Sequence, residues 1–546
     1  MKIGMGLAAG SFLFALSMSA AGALAQAIPP AVKQAEASID AEKIRAHVRF
    51  LADDLLEGRY PGLRGGDLAA KYIATQFALD GLKPAGDDGT YLQWINFVGM
   101  KAIPEQTSFA LVPSSGSLIN LKFADDYTVQ NQKLTPSIDL DAPIVFVGYG
   151  VTAPEFGWND YAGIDVKGKV ILCIVGDPPS NDPKFFGGKA LTYYGRWTYK
   201  FEQAARMGAV GALVIHRTDL ASYGWDVVRN SNTSEKTYLR DDQAPQLEAA
   251  SWIQLEVARK IFAAGGMKLD TEMTAAGQRG FKAVELPVRL KAHVESTVRR
   301  FQSANVVGIV PGTKAGMNQA VLYTAHYDHL GFVPGMKGDN IYNGAADNGT
   351  GTGMLLEMAR AWSAMPARPP HDVIFAAVTA EEQGLLGSQY LGQHPPVPVG
   401  QIALDLNYDM ILPIGIPREI NVNGAQRSSF YPTVQATAKR FGLTIVPDPR
   451  PEAGTYYRSD HFSLSRVGIP AFSIDPGTLY EGHDRAWGEA KENDYIDHRY
   501  HNFGDNYTPE MDFHGNAKLA RFGIELGWEA VSAPATIRWN AGDEFE

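Results

Sequence analysis

The stretch AVLYTAHYDHLGF, residues 320–332, joins an apolar run to two histidines and an aspartate. Its first six residues have the composition of a buried β-strand, so His326 and Asp328 are expected at the strand's carboxyl end. A single buried histidine is usually a hydrogen-bonded core residue. The meaning of this stretch therefore depends on whether other metal-binding side chains occupy equivalent places along the chain.

Two later apolar runs end in the same way. VIFAAVTAEEQGLLGS, residues 373–388, brings Glu381 and Glu382 to the end of a predicted strand, and QIALDLNYDMI, residues 401–411, brings Asp409 to the end of another. In open α/β sheets the functional site lies outside the carboxyl ends of the strands. These side chains can therefore converge although they are far apart in sequence.

Two loops add further candidates. The glycine-rich NGAADNGTGTG places Asp347 just before a predicted helix, and RYHNFGDNYTP places His501 in a late loop. The GTGTG run lacks the lysine and the spacing of a phosphate-binding P-loop. We interpret its glycines as allowing the backbone to approach a metal site closely.

The candidate donors suit a centre with two divalent cations. Two cations at ~3.5 to 4 Å need a bridging carboxylate to offset their repulsion, and terminal ligands on each side. Two histidines, two aspartates and a glutamate meet that need. Nitrogen and oxygen donors without sulfur fit zinc, while manganese and cobalt remain possible.

Composition limits the classes of function. The 546 residues predict three or four domain-sized units. A net charge of -11 and the lack of any basic run argue against a nucleic-acid partner. The only cysteine, Cys173, excludes an intrachain disulfide and a cysteine-rich zinc site.

The N-terminus has the pattern of a secretory signal. Lys2 precedes an apolar stretch that ends in AGALAQA, which predicts a signal peptide over residues 1–25 and cleavage before Gln26. The mature protein is then exported, to the periplasm or the extracellular space, with no stable membrane association. The alternative is an uncleaved anchor, because the stretch approaches the ~20 residues that span a bilayer.

The rest of the chain divides into three parts. Residues 26–128 begin with two predicted helices and form the N-terminal part of a domain whose main part lies later in the chain. Residues 129–288 contain short apolar runs bounded by Gly, Pro or Asp, which predict a β-rich unit. Residues 289–546 alternate apolar runs with helical patterns, which predicts an α/β fold: a doubly wound mixed sheet with helices on both faces.

The motifs together resemble a known family. TAHYDHLG, NGAADNGTG, AEEQGLLGS, NYDMI, SDHFSLSRVGIP and YHNFGDNYTP look like the consecutive motifs of the di-zinc exopeptidases that include bacterial secreted aminopeptidases and glutamate carboxypeptidase. The resemblance covers roughly residues 304–530, and LADDLLEGR near the N-terminus also looks like these enzymes. The β-rich unit resembles the protease-associated domain inserted in some members, which would make the peptidase domain discontinuous.

The resemblance implies a role for five metal ligands. His326 and Asp409 would bind one zinc ion, and Glu382 and His501 would bind the other. Asp347 would bridge them. The implied cofactor is two Zn2+ per chain.

The resemblance also implies three catalytic side chains. Glu381 would be the general base that takes a proton from water and passes it to the departing amine. Asp328 would orient the imidazole of His326. Tyr500 matches a tyrosine that in some relatives hydrogen-bonds the oxyanion of the tetrahedral intermediate.

Three other histidines receive no role in the site. His329 and His498 are expected on the solvent side. His461, in SDHFSL, is expected to be a hydrogen-bonded structural residue near the site.

The expected function is an exported zinc exopeptidase acting on peptides, most simply an aminopeptidase. Basic residues near the metal motifs are few, which favours a free amine over a free carboxylate as the recognised group. Arg458 is the exception, since it could bind a carboxylate or pair with Asp460. A carboxypeptidase or dipeptidase, a related di-zinc deacylase and a non-catalytic receptor-like ectodomain are the alternatives. Side-chain preference and oligomeric state do not follow from the sequence.

Overall fold

The computed structural model describes residues 28–221, 223–314 and 319–546. The predicted signal peptide lies outside these ranges. The helices are α1 (Pro30–Ser38), α2 (Ala41–Leu51), α3 (Arg64–Leu79), α4 (Trp197–Arg206), α5 (Thr218–Ala221), α6 (Trp225–Thr233), α7 (Leu255–Ala264), α8 (Leu269–Ala276), α9 (Gly351–Ser363), α10 (Leu386–Gln393), α11 (Tyr431–Arg440), α12 (His461–Ser465), α13 (Arg485–His498) and α14 (His514–Val531).

The strands lie mostly in one large sheet. They are β1 (Lys83–Pro84), β2 (Leu92–Pro113), β3 (Ile119–Leu121), β4 (Tyr127–Gln130), β5 (Ser137–Phe146), β6 (Thr152–Ala153), β7 (Trp158–Asn159), β8 (Val170–Ile174), β9 (Gly211–His216), β10 (Lys236–Leu239), β11 (Ala249–Gln254), β12 (Val284–Val310), β13 (Ala320–His326), β14 (Val373–Val378), β15 (Ile402–Asn407), β16 (Glu419–Asn421), β17 (Thr444–Ile445), β18 (Ala471–Ser473) and β19 (Asp475–Pro476).

The part of the sheet that carries the predicted site is mixed. Its strand order is β18, β15, β13, β14 and β12. The first four strands are parallel to one another, and β12 is antiparallel to β14. Because parallel strands share a direction, the residues that follow β13, β14 and β15 emerge at the same edge.

Helices cover both faces of this part, as the sequence predicted. Alternate side chains of one strand point to opposite faces. Tyr323 and Phe375 pack into the core with α2, α3, α9, α11 and α14, whereas Leu322 and Ile374 pack into a second core with Leu391 of α10 and other apolar residues. The predicted doubly wound α/β architecture is confirmed.

The predicted β-rich region is a mixed structure. Its strands are ordered β5, β8, β9, β11 and β4, and the pairs from β5 to β11 are parallel. Parallel strands need crossover connections, and five helices, α4 to α8, lie in the same stretch of chain. The core of the region includes Phe146 and Leu172 and extends to Phe109 of β2 and Val294 of β12.

Two long strands connect this region to the rest of the protein. β2 pairs with β12 from the register Leu92 with Val306 to the register Val288 with Pro113. β12 continues through residue 288 without a break in the strand. The two parts of the protein therefore share strands and are not joined by loops alone.

The two N-terminal helices predicted from periodicity are present as α2 and α3. Asp40 precedes α2 and accepts a hydrogen bond from the amide of Glu42, which is a typical N-cap. In the described part of the chain, no helix has the length and apolar character needed to cross a membrane.

Candidate metal centre

Three neighbouring strand ends bring the predicted residues together. β13 ends at His326, and β15 ends two residues before Asp409. β14 ends at Val378, so Glu381 and Glu382 lie just beyond it. The parallel register pairs His326 with Val378, which places the first histidine next to the paired glutamates.

Asp347 is positioned by its own loop. It lies in a short irregular helical segment, Ala345–Thr350, directly before α9. The carboxylate of Asp505 accepts hydrogen bonds from the amides of Ala346 and Asp347, at 3.0 Å each for the shortest contact. Sequence reasoning missed Asp505, although it lies in the same YHNFGDNYTP motif as His501.

The carboxylate of Asp347 lies between two histidines. Its Oδ1 is 3.3 Å from Nε2 of His326, and its Oδ2 is 3.2 Å from Nε2 of His501. The two oxygens of one side chain therefore face two different imidazoles. This is the arrangement that a carboxylate shared by two cations requires.

Each histidine also faces a second carboxylate. Nε2 of His326 is 3.1 Å from Oδ1 of Asp409. Nε2 of His501 is 3.1 Å from Oε2 of Glu382. The cluster thus has two halves, and Asp347 is common to both.

Glu381 lies beside the first half without a short contact to it. Its Oε2 is 3.9 Å from Nε2 of His326. Burial, with a further contribution from Glu382 and Asp409, raises the pKa of Glu381 well above its ordinary value, although His326 opposes the change. Glu381, beside the cluster, therefore holds a proton more tightly than an ordinary glutamate does.

Asp328 contacts His326 through its main-chain carbonyl and Glu381 through its carboxylate. Its main-chain carbonyl accepts from Nδ1 of His326 at 3.2 Å, while the Asp328 carboxylate lies 3.8 Å from that nitrogen. The carboxylate accepts a hydrogen bond from the amide of Glu381 at 3.1 Å. Burial raises the pKa of Asp328 to about 7.

Tyr500 stacks on a predicted ligand. Its ring centroid lies 3.9 Å from that of His501, and 40% of the residue's surface is exposed. The pKa of Tyr500 is raised well above its ordinary value, mainly by burial of the hydroxyl and next by repulsion from the carboxylates of Asp347 and Glu382. The phenol therefore keeps its proton and remains a hydrogen-bond donor.

His329 does not lie on the solvent side, so that expectation was wrong. The residue is fully buried, and its Nδ1 donates a hydrogen bond to Oε1 of Glu382 at 2.6 Å. Gly344, in the loop that precedes Asp347, packs against the ring. By contrast, the side chain of His498 is 71% exposed, and His461 is buried near Asn407.

A second residue missed from the sequence is Ser459. Its hydroxyl donates to Oδ2 of Asp409 at 2.7 Å, so both oxygens of Asp409 have a partner. The SDHFSL motif contains this serine. Nothing in its spacing indicates which of its polar side chains reaches the site.

The cluster carries excess negative charge. Burial alone would lower the pKa of His326, but Asp409 and Glu381 raise it well above its ordinary value. Hydrogen bonds from His326 and His501 outweigh burial and hold the pKa of Asp347 well below its ordinary value. Positive charge is therefore strongly favoured here.

No lysine or arginine in the described part of the chain forms an ion pair with the five clustered carboxylates, which are Asp328, Asp347, Glu381, Glu382 and Asp409. Buried charges of one sign are tolerated when they are paired or bind metal. Two groups of side chains have atoms close enough to hold a cation, namely His326 with Glu381 and Asp409, and His329 with Asp347 and Glu382. They differ from the predicted ligand sets in that they contain Glu381 and His329 and lack His501. The residues present therefore fit two divalent cations.

The fold and the cluster define an α/β protein with a candidate centre for divalent cations at the carboxyl ends of parallel strands. Residues 305–520 match the model of Peptidase family M28. Over these residues the chain is similar to the members of that family. The resemblance named from the motifs is thereby confirmed for this region.

Curated relatives match over part of their length. The chain is 34% identical to aminopeptidase YwaD of Bacillus subtilis over 221 residues, which is 39% of this chain and 43% of that protein. It is 28% identical to leupeptin-inactivating enzyme 1 of Streptomyces exfoliatus over 43% of this chain and 52% of that protein. The chain spans about half the length of these curated relatives.

A solved structure matches over nearly the whole chain. An aminopeptidase from Aneurinibacillus sp. strain AM-1 superposes with a TM-score of 0.50 and 18% identity, covering 93% of this chain and 97% of that chain. At this level of identity the likeness shows the fold. It extends beyond the matched family region to the strands and helices that precede residue 305.

Proposed function

We propose that this protein is a zinc-dependent aminopeptidase that uses two zinc ions. The observation that carries the proposal is the carboxylate of Asp347, whose two oxygens face His326 and His501 at 3.3 and 3.2 Å. Relatives named as aminopeptidases support the same reading.

The chain's own residues would hold the ions in two sets that share Asp347. His326 and Asp409 would hold one ion, and Glu382 and His501 the other. When bound, zinc lowers the pKa of water and polarises a carbonyl group. Nitrogen and oxygen donors without sulfur suit this metal.

The position and the raised pKa of Glu381 suit the role of a general base. It lies beside the first half of the cluster, and its buried carboxyl has a raised pKa. It takes a proton from the attacking water and delivers it to the amine that leaves when the peptide bond breaks. Tyr500, which keeps its proton, donates a hydrogen bond to the oxyanion formed at the scissile carbonyl.

The acidic surroundings favour a substrate with a free amine. A free ammonium group is attracted to carboxylates, whereas a free carboxylate requires arginine or lysine. The test compares aminoacyl anilides with the same residues blocked by N-acetylation. We expect hydrolysis of the free anilides and its loss after N-acetylation; cleavage of blocked peptides from the carboxyl end would contradict the assignment.

One observation favours a carboxypeptidase as the second candidate. Arg458 is exposed while Asp460 is buried, and the two form no ion pair within the described residues. The pKa of Arg196 is lowered to about 10, mainly by burial and next by the positive charge of Arg458. Guanidinium groups are the side chains that bind a terminal carboxylate. Arg458→Gln would then abolish cleavage of N-blocked peptides while leaving anilide hydrolysis unchanged.

We propose that the region around residues 129–288 is an inserted protease-associated unit that restricts access to the site. Two contacts support this role. Thr237 approaches Gln383, next to the paired glutamates, at 3.4 Å, and the amide of Leu191 donates to the carbonyl of Pro451 at 3.0 Å. The side chain of Leu191 also packs at Gly454, where an added Cβ atom would lie 2.9 Å from its Cδ2. Removing both side chains by Thr237→Gly and Leu191→Gly should increase cleavage of long peptides relative to short ones; an unchanged ratio would contradict the role.

Export is a further part of the proposal and rests on the sequence of residues 1–25. Mass spectrometry of the protein from its native host would test it. We expect a mature N-terminus at Gln26, and a retained Met1 would contradict cleavage.

A further inference from the structure

His329 occupies a central place in one half of the metal centre. Its ring is fully buried, and Nδ1 donates to Oε1 of Glu382 at 2.6 Å. The other oxygen of Glu382 lies 3.1 Å from Nε2 of His501. One carboxylate oxygen is thus bound to His329, and the other is turned toward the cluster.

The same ring packs against the loop that carries Asp347. Gly344 has a left-handed φ of 60°, and a Cβ atom at this position would lie 2.7 Å from the His329 ring. The ring centroids of His329 and His501 are 5.8 Å apart. His329 therefore contacts or closely approaches the elements that bear all three predicted ligands of one ion, which are Asp347, Glu382 and His501.

Within the described part of the chain, the ring of His329 makes one hydrogen bond, the one to Glu382. Its Nε2 is buried and has no hydrogen-bond partner in the described part of the chain. A buried polar atom without a partner costs free energy. Core packing alone therefore gives a poor reason for a histidine at position 329. The hydrogen bond that the imidazole donates to Glu382 gives a better one.

The other half of the centre has different supports. Ser459 donates to Asp409 at 2.7 Å, and the carbonyl of Asp328 accepts from His326 at 3.2 Å. Neither contact involves His329. Loss of the His329 side chain should therefore affect the two halves unequally.

We propose that His329 is a positioning residue for one ion only, the ion that Asp347, Glu382 and His501 would hold. The inference rests on the proposed two-zinc function. By donating to Oε1, His329 fixes the rotation of the Glu382 carboxylate and keeps Oε2 toward His501. Residues that hydrogen-bond a ligand in this way typically change metal affinity 10- to 100-fold when they are replaced.

The test measures zinc bound to the full-length protein during dialysis against buffers of defined free zinc concentration. We expect two binding steps for the wild type. In His329→Ala one step should weaken by about 10- to 100-fold while the other is unchanged. In His329→Asn the amide N–H can replace Nδ1–H, so most of the affinity should return.

The matched control is His371→Ala. His371 is also buried, and its Nδ1 also lacks a partner, but it lies just before β14, at the opposite end of that strand from Glu382. This variant should keep both zinc affinities, and circular dichroism should show that every variant is folded.

Three results would count against the inference or its basis. Unchanged affinity for both ions in His329→Ala would overturn it. Failure of His329→Asn to recover affinity would also overturn it, because the imidazole would then act as more than a hydrogen-bond donor. A wild type that bound no zinc would instead contradict the proposed function.

Discussion

The guanidinium of Arg59 donates through Nε to the main-chain carbonyl of Tyr327, the residue that follows His326, at 2.7 Å. It also donates to the carbonyl of Gly344 at 2.9 Å and to those of Leu51 and Asn343. Arg59 is 1% exposed, and burial lowers its pKa to about 10. One side chain thus joins the N-terminal region to the segments that carry two of the predicted ligands, His326 and Asp347.

We predict that Arg59→Met destabilises the protein strongly. Each buried carbonyl left without a partner costs about 1 to 3 kcal/mol, so the free energy of unfolding should fall by about 3 kcal/mol or more. Urea unfolding monitored by tryptophan fluorescence measures the change. The control is Arg64→Ala, because the Arg64 side chain is 74% exposed and should shift stability by less than ~0.5 kcal/mol.

Glu381→Gln should separate metal binding from turnover. The amide preserves the shape of the side chain but cannot accept and deliver a proton, so turnover should fall ~10²- to 10⁴-fold with both ions retained. Metal analysis and steady-state kinetics measure the two effects together. Glu382→Gln, one residue further, should lose metal instead. Near-normal turnover in Glu381→Gln would remove this residue from the mechanism.

Asp347→Ala should fail at metal binding itself. The variant loses the carboxylate that would lie between the two cations and offset their repulsion. We expect no more than one ion per chain by elemental analysis. Asp339→Ala, an exposed aspartate in the preceding loop, is the control and should bind two. Full occupancy in Asp347→Ala would refute the bridging role.

A pH effect is expected at a group outside the metal centre, Glu36 of α1. Burial raises the pKa of Glu36 from 4.5 to about 7, and hydrogen bonding with Glu525 contributes. The folded protein therefore keeps a proton that the unfolded chain releases, so stability from Glu36 is present at low pH and is lost as pH rises through this window. Other buried acids contribute to the total dependence.

The comparison of Glu36→Gln with the wild type isolates this group. The amide stays neutral at every pH. Its melting temperature relative to the wild type should therefore be higher at pH 8 than at pH 5. A difference that does not change with pH, measured in the same buffers by differential scanning fluorimetry, would show that Glu36 does not titrate in this range.

Much of the site could be predicted because it depends on local patterns. An apolar run followed by His326, and another followed by Glu381 and Glu382, indicate strands and their ends directly. Parallel topology then places those ends together. The alternation of strands and helices indicated a doubly wound sheet but not the order of its strands.

What could not be predicted depends on contacts between distant segments. His329 is buried because the loop around Gly344 covers it, and no local pattern contains that information. Arg59 reaches the site through three consecutive residues with positive φ, Glu57, Gly58 and Arg59, of which only the glycine signals such a turn. The helices between the parallel strands of residues 129–288 were overlooked because the apolar runs dominated the pattern.

The central claim is that one carboxylate, Asp347, joins two zinc sites of defined composition. Anomalous diffraction at the zinc absorption edge from crystals of the zinc-loaded protein tests it most directly. The account predicts two peaks, one contacting His326 and Asp409 and the other contacting Glu382 and His501, with Asp347 bound to both. A single peak, or ions bound without Asp347 between them, would contradict it.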